Sequence, residues 1–254
     1  MTLRLVANGS APSAAFSLLD SALDRTGRRQ LESLVSLTEV GRGYLLAKEG
    51  ETSRDFLAVS AGIVKLWKNL PDGRRQIVAF RGPGDPLALH RPDTPWPVNA
   101  QAVSSCRYFR VQWDDLQRLA QRYPMVHQAL FDLACDEVAN LQNRMLTLGR
   151  RTTEEKLASF ILEFCRPAGS PSSLGRQVEL PMRRPDIAEY LGLTTESVSR
   201  EFSRLKHERF IAMPRPSCIV VLNRPALEAI ALGVYGAPPE TAMDDVADLP
   251  RAGG

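Results

Sequence analysis

The feature that most constrains the fold of this chain is the stretch 184–205, which fits two short helices joined by a tight turn. Gly192 stands at the turn, where a left-handed backbone favours glycine, and Thr194 or Thr195 caps the second helix. Ala188 is small where the two helices cross. Apolar residues at helical spacing form the two inner faces: Ile187, Ala188 and Leu191, then Val198, Phe202 and Leu205. This spacing predicts a helix-turn-helix.

The outer face of the second helix carries Glu196, Ser199 and Arg200 at positions i, i+3 and i+4. These side chains suit a DNA major groove. Arginine bonds O6 and N7 of guanine, glutamate accepts from N4 of cytosine, and serine bonds either edge or meets a thymine methyl. We predict that they read bases. The alternative is that Glu196 and Arg200 form a solvent-exposed ion pair, which contributes little energy.

Basic and polar residues surround the two helices, and we predict that they contact DNA phosphates. They are Arg183, Arg184, Thr195, Arg204 and Lys206, with the basic side chains of His207 and Arg209 close by. The formal net charge of the chain is only +3, which excludes a strongly acidic protein but does not by itself indicate nucleic acid. The alternative is that these residues form an ordinary solvated face.

The rest of the C-terminal domain, predicted over 150–236, fits a winged helix-turn-helix. Its first helix starts at residues 152–156, which resemble a capped helix start. Two β-rich runs, 210–213 and 218–222, flank residues 214–217 and predict a hairpin wing. Residues 237–254 are predicted to form a disordered acidic tail, because Glu240, Asp244, Asp245 and Asp248 outnumber Arg251.

Residues 28–113 have recurring glycines between short β-rich runs, a pattern that predicts an antiparallel β-roll. The runs are 44–46, 56–59, 63–67, 76–80 and 108–111, after a short helix over 28–37. Pro71, Asp72 and Gly73 predict a turn, because proline presets φ and glycine accepts a positive φ. Residues 1–27, rich in Ala, Ser and Gly, are expected to form a flexible extension.

A long helix is predicted over 114–149, because apolar residues repeat there with heptad spacing. The a positions are Phe131, Val138 and Met145, and the d positions are Ala134, Leu141 and Leu148. Pro124 and His127 break the pattern one heptad earlier, so the seam begins after the proline. Gly149, followed by two arginines, is expected to end the helix. From the pattern alone, this seam either packs on its own domain or pairs with a second copy of the chain.

Several classes of protein do not fit the sequence. No run of eighteen apolar residues occurs and the N-terminus lacks the long apolar segment of a signal peptide, so we expect a cytoplasmic protein that is not in a membrane. His90, His127 and His207 lie far apart, and no P-loop or Gly-x-Ser-x-Gly motif occurs, so we do not expect an enzyme. The four cysteines form no Cys-x-x-Cys pair, which argues against a zinc finger or a ferredoxin-type cluster, and we expect no metal site.

In their order, the β-roll, the heptad helix and the winged helix-turn-helix resemble the CRP/FNR family of bacterial transcription regulators, over about residues 28–230. The string Glu-Ser-Val-Ser-Arg at 196–200 resembles the Glu-x-x-Ser-Arg of the FNR and FixK branch. Thr195 and Ser199 stand where the CRP branch has Arg and Gly.

The resemblance implies an α+β fold and a homodimer formed through the heptad helix. It also implies that Glu196, Ser199 and Arg200 read a TTGAT-like half-site, repeated as an inverted pair. The loop at 71–75 is implied to contact RNA polymerase, and an ordinary surface turn is the alternative.

The family's cyclic-nucleotide site is not matched. The cassette has Gly-Glu and then Arg-Ser or Arg-Thr, and the matching places in this chain read Gly84-Asp85-Pro86-Leu87 and Pro97-Val98-Asn99-Ala100. Because the arginine that clamps the phosphate is absent, we do not expect cAMP to bind. Residues 1–105 contain no cysteine, so the N-terminal [4Fe–4S] cluster of FNR is not available. We therefore expect a FixK-like regulator that needs no cofactor.

One histidine leaves a sensing alternative open. His90 lies near the position at which the carbon monoxide sensor of this family has a haem-ligating histidine, but Ala88 stands where that sensor has a cysteine. His90 is therefore either an ordinary loop histidine or the residue through which the roll binds haem or another small ligand.

Overall fold

The computed structural model describes residues 3–4, 19, 21–87, 89–90, 92–165 and 177–235. In chain order, its elements are β1 (Leu3–Arg4), α1 (Arg25–Leu34), β2 (Ser36–Val40), β3 (Leu45–Ala47), β4 (Asp55–Ala61), β5 (Val64–Asn69), β6 (Arg75–Arg81), β7 (Asn99–Ala102), β8 (Cys106–Gln112), α2 (Trp113–Arg122), α3 (Pro124–Arg150), α4 (Thr153–Phe164), β9 (Gln177–Glu179), α5 (Arg184–Leu191), α6 (Thr195–His207), β10 (Ile211–Arg215), β11 (Cys218–Val221) and α7 (Arg224–Ala231). The predicted acidic tail and most of the predicted N-terminal extension lie outside the described residues.

The predicted β-roll is confirmed as two antiparallel four-stranded sheets. One has the strand order β1-β2-β8-β4 and the other β3-β7-β5-β6. Their inner faces enclose an apolar core that includes Val59, Val64 and Leu87. Gly73 has a φ of +83° in the turn between β5 and β6, as its place after Pro71 and Asp72 predicts.

Two parts of the roll differ from the sequence prediction. Helix α1 ends at Leu34 because Val35 turns to extended backbone, so Leu37 lies in β2 opposite Phe109 rather than in the helix. Strand β7 reads Asn-Ala-Gln-Ala and has none of the β-branched or aromatic residues that indicate a strand. Its place in the sheet depends on its long-range pairing with β3 and β5.

The predicted long helix is two helices. Proline has no N–H to continue the hydrogen bonds of α2, so the chain turns at Tyr123 and α3 begins at Pro124. Helix α3 ends at Arg150, within the run of Gly149 and two arginines predicted to end it, although Gly149 itself is still helical. A capping box between Thr152 and Glu155 then starts α4, and the two residues between the helices, Arg151 and Thr152, are both extended.

The C-terminal part is a winged helix-turn-helix, as predicted. Helices α4, α5 and α6 pack with α7 around buried residues that include Phe160, Ile187 and Leu205. The predicted wing hairpin is β10 and β11, and β9 adds a third strand, giving the order β10-β11-β9. Ile77 and Phe80 of the roll belong to the same apolar cluster, so the two halves of the chain share a core. The domain boundaries proposed from the sequence stay a prediction.

None of the helices in the described ranges combines the length and the hydropathy that crossing a bilayer requires.

Candidate nucleic-acid interface

The turn between α5 and α6 has the geometry that its glycine predicts. Gly192 adopts a left-handed backbone with φ 64° and ψ 41°, and the N–H of Leu193 donates to the carbonyl of Ala188 at 3.0 Å. The cap of α6 is Thr194, whose hydroxyl accepts from the backbone N–H of Ser197 at 3.1 Å. Of the two threonines left open by the sequence, Thr195 is therefore the first residue of the helix rather than its cap.

The three predicted base-reading residues lie together on the outer face of α6. Glu196, Ser199 and Arg200 are all exposed. No ion pair joins Glu196 to Arg200 within the described residues, although the i,i+4 pair Arg204–Glu208 forms on the same helix at 2.9 Å. The alternative of a self-neutralised pair is therefore not realised, and both side chains present their charges to solvent.

A cavity of about 370 Å³ separates α6 from the wing. Arg184 and Lys206 bring positive charge to it, Arg215 lines it while paired with Glu179, and Ser199 lies on its wall. The Arg184 guanidinium stacks on the Phe202 ring, with its carbon 3.4 Å from the ring centroid. Burial lowers the pKa of Arg184 to about 10, so this residue is still cationic at neutral pH. Such a cleft has the charge that a phosphate requires.

The sequence predicts a phosphate contact for Arg204, and the structure places this residue among three carboxylates. The Arg204 guanidinium lies 2.7 Å from Glu201, 2.9 Å from Glu208 and 3.1 Å from Glu154 at the start of α4. These carboxylates raise the pKa of Arg204 well above its usual range. Because its N–H donors are bonded to carboxylates of both helices, Arg204 joins α6 to α4, and its phosphate contact stays a prediction. The backbone N–H of Arg183 bonds Asp186 at 3.2 Å while its side chain is exposed.

Arg215 is not among the residues that the sequence singles out, yet it comes from the wing and lines the same cavity. Its guanidinium bonds Glu179 of β9, the third strand of the wing sheet. The one signal in the sequence is an arginine at the tip of the predicted hairpin, between two prolines. A tip arginine is close to DNA only if the wing folds toward the recognition helix, which is a tertiary property.

The heptad seam is largely uncovered on this single chain. Phe131, Val138, Leu141, Met145 and Leu148 are exposed and Ala134 is partly buried. Leu148, the least exposed of the five, approaches the helix-turn-helix. A Cβ placed on Gly192 would lie 3.6 Å from its Cδ2. Within the described residues, most of the seam is therefore not covered by its own chain. The alternative that the seam packs on its own domain does not hold there.

The residues at the positions of the missing cyclic-nucleotide cassette are buried or hydrogen-bonded within the roll. Ala100 is fully buried in β7. The side chain of Asn99 accepts from the backbone N–H of Glu49 at 3.1 Å and donates to the Trp67 carbonyl at 3.4 Å. Burial raises the pKa of Asp85, whose carboxylate accepts from the N–H of Gly82 at 2.8 Å. Neither Asn99 nor Ala100 supplies the positive charge of the missing arginine.

His90 packs against Trp96, with 4.5 Å between the ring centroids. Both of its ring nitrogens are buried and have no hydrogen-bond partner among the described residues. Ala88, the neighbour at issue in the haem alternative, lies outside those residues.

Comparisons with known proteins agree with this architecture. Residues 155–230 match the family model for the Crp-like helix-turn-helix domain, and residues 37–123 match that for the cyclic nucleotide-binding domain. The chain is 34% identical to the transcriptional activatory protein AadR of Rhodopseudomonas palustris, over 80% of this chain and 84% of that protein. It is also 34% identical to the nitrogen fixation regulation protein FixK of Bradyrhizobium diazoefficiens, over 85% of this chain and 90% of that protein.

A solved structure, that of FixK2 from Bradyrhizobium japonicum, has the same fold, with a TM-score of 0.71. It is 31% identical to this chain and covers 77% of it, and the chain covers 96% of that structure.

Proposed function

Since the chain belongs to the CRP/FNR family of DNA-binding transcription regulators, and within it to the FixK-like branch, we propose that it recognises an inverted-repeat TTGAT-like site as a homodimer. The observation that carries this proposal is the outer face of α6, where Glu196, Ser199 and Arg200 are exposed with no ion pair between the two charges. Base readout requires hydrogen-bond donors and acceptors that are free to meet base edges, on the second helix of a helix-turn-helix.

The three residues make different contacts in the major groove. Arg200 bonds O6 and N7 of the half-site guanine, Glu196 accepts from a cytosine N4 on the opposite strand, and Ser199 contacts a neighbouring base edge. Arg183, Arg184, Thr195 and Lys206 contact phosphates and fix the register of the helix in the groove. The cleft between α6 and the wing supports this assignment for Arg184 and Lys206, because both line it.

The homodimer forms through the seam of α3. Five large apolar side chains at a and d positions are exposed on this helix, and a parallel pairing of two copies would bury them. A two-fold pair also matches an inverted repeat, since it places two recognition helices about 34 Å apart, one turn of DNA.

RNA polymerase is the proposed protein partner, contacted by the turn at 71–75. Pro71, Asp72, Gly73 and Arg74 are exposed at its tip, whereas Arg75 is bonded to Glu189 of α5. Contact with polymerase is therefore assigned to the tip, and the base of the hairpin faces the chain's own DNA-binding domain.

The regulator works without cAMP or an iron–sulfur cluster in this proposal. Ala100 and Asn99 leave no cation for a cyclic phosphate. All four cysteines lie in the described ranges, where no group of three His, Cys, Asp or Glu side chains is placed to hold a metal ion.

A second candidate is a regulator of the same type that binds haem or another small ligand in the roll. The observation in its favour is the pair of buried ring nitrogens of His90 that have no described partner. Purified protein titrated with haem tests it. A Soret band that disappears in His90→Ala supports a sensor, and the absence of a Soret band in the wild-type protein refutes haem binding.

The test of the main proposal compares a TTGAT palindrome with random duplex DNA. We expect Arg200→Ala to lose about 1–3 kcal/mol of discrimination per half-site while weak, salt-sensitive binding remains. Lys206→Ala should instead weaken binding to both DNAs alike and lower the salt slope by about one for each phosphate that the variant no longer neutralises.

Arg118→Ala is the matched control, because Arg118 is an exposed arginine on α2, outside the helix-turn-helix, that pairs with Asp115 of its own helix. Equal losses on specific and random DNA in Arg200→Ala would refute base readout by this residue. A wild-type protein with no preference for the palindrome would refute the proposed site.

A further inference from the structure

We propose that the β5–β6 hairpin of the roll is a clamp that sets the orientation of the DNA-reading helix, with Lys65 and Arg75 as its positioning residues. The proposal rests on the proposed function, since it concerns how the DNA reader is held. The interdomain clamp is defined by two pairs: Lys65 with Asp186, and Arg75 with Glu189. Both carboxylates lie on α5, the first helix of the helix-turn-helix.

The first pair is buried between the two halves of the chain. Lys65 Nζ lies 2.7 Å from Asp186 Oδ1, and the two residues are 7% and 8% exposed. The other oxygen of Asp186 accepts from the N–H of Arg183 and so caps α5. A charge in this environment is costly without its partner, and a buried pair tolerates few geometries. The lysine of the roll thus fixes the start of α5.

The second pair fixes α5 one turn further along. Arg75 bonds Glu189 through two N–H groups, at 3.0 and 2.8 Å, a bidentate geometry that specifies direction as well as distance. Gln76, the next residue of β6, donates to the backbone carbonyl of Glu189. Together with the Lys65–Asp186 pair, these bonds attach the hairpin to α5 at two points. Attachment at two points prevents α5 from rotating about either contact alone.

Apolar contacts alone would not define this orientation. Phe80 of β6 packs on Tyr190, with 4.9 Å between ring centroids, and Ile77 is fully buried in the shared core. Such contacts are favourable over a range of sliding positions because the hydrophobic effect has no direction. The long helix adds a third point, since Arg144 of α3 stacks 3.3 Å from the Tyr190 ring centroid.

The docked arrangement is compatible with DNA binding. Helix α6 is joined to α5 by the short Gly192 turn and packs on it, so its direction follows that of α5. Glu196, Ser199 and Arg200 remain exposed while the clamp is closed. A dimer that reads an inverted repeat needs both α6 helices at a set separation. The clamp therefore favours the binding-competent orientation without any ligand in the roll.

Charge exchange at the more exposed pair tests the proposal in the full-length chain. Arg75→Glu and Glu189→Arg each place like charges opposite each other, and the double variant restores the pair in reverse. Arg118→Glu is the matched control, because it makes the same change of charge at an exposed arginine that lies outside the hairpin and α5 and pairs with Asp115 of its own helix.

Two readouts are measured on each variant. Hydrogen exchange of the α5 amides, followed by mass spectrometry, reports whether the helix is held. Binding is measured to a duplex selected by the wild-type protein from a random pool, and to random DNA, so that the added charge of Glu189→Arg is accounted for. We expect each single variant to exchange faster in α5 and to lose about tenfold in the ratio of specific to random binding, because fewer molecules are competent. The double variant should recover both.

The outcomes separate the clamp from the proposed function. Unchanged exchange in Arg75→Glu refutes the clamp, and faster exchange with an unchanged or higher binding ratio refutes its positive role in DNA reading. Loss in both single variants without recovery in the double variant also counts against the pair. A wild-type chain that selects no duplex refutes the proposed function, whereas the exchange data still decide whether the pair holds α5.

Discussion

The seam of α3 makes a quantitative prediction about self-association. Leu141 is 48% exposed on the single chain and occupies a d position. Complete burial of a leucine side chain is worth about 1.5–3 kcal/mol, so burying the exposed half in each of two subunits contributes roughly 2 kcal/mol to a dimer. That energy corresponds to about a 30-fold change in the dissociation constant. Leu141→Asp should weaken the dimer by more than this factor, because the substitution also brings two carboxylates together in a desolvated interface.

Leu146→Asp is the matched control for this experiment. Leu146 lies on the same helix and is 60% exposed, but its heptad position b faces away from the a/d seam. The substitution carries the same helix propensity and the same charge, so it should leave the dimer unchanged. Sedimentation equilibrium over a range of concentrations gives the dissociation constant directly, against a chain mass of 28.1 kDa.

Two results would refute the reasoning. An unchanged dimer mass in Leu141→Asp would show that the seam is not the interface. Equal weakening by Leu141→Asp and Leu146→Asp would show that any charge on α3 disrupts the helix, with no role for heptad position. Circular dichroism of both variants separates the second case, since a disrupted α3 lowers the helix signal.

Three further predictions concern the rest of the chain. Gly62→Ala should lower the free energy of unfolding, measured by urea titration, by at least about 3 kcal/mol, because a Cβ there would lie well inside van der Waals distance of the Ser105 carbonyl oxygen. Gly73→Ala is the control, since Gly73 has the same φ of 83° but lies in open space, and it should cost only about 1–2 kcal/mol. Burial raises the pKa of Asp85, so its ionised form opposes folding above that pKa. Asp85→Asn should therefore raise the urea midpoint at pH 7.5. This gain in stability should vanish below about pH 4, where the carboxyl of the unfolded chain is also protonated. Iodoacetamide at pH 8 should label exposed Cys135 in the native protein and spare Cys165, whose pKa burial raises to about 11, as peptide mass spectrometry would check.

The helix-turn-helix was predictable because its signals are local. Gly192 needs a left-handed backbone, Thr194 caps the next helix, and the apolar faces are set by spacing within a few residues. The paired role of Lys65 was not predictable, since it depends on a contact with Asp186, far along the chain. A lysine between valine and leucine in a β-rich run was the available signal, and only the folded chain gives it a partner.

Arg200 and Arg204 show why the number of basic residues around a helix does not measure a DNA-binding surface. They are four residues apart on α6, and the sequence predicts a DNA contact for each, to a base for Arg200 and to a phosphate for Arg204. Arg204 has Glu201 and Glu208 within its own helix and Glu154 from the start of α4, so its charge is offset three times over. Arg200 is in no ion pair with any residue that the structure describes and keeps its charge for a ligand. Counterion release depends on cations that are free to meet phosphate. The positive surface of this domain is therefore smaller than its composition indicates, because Arg204 adds no free cation to it.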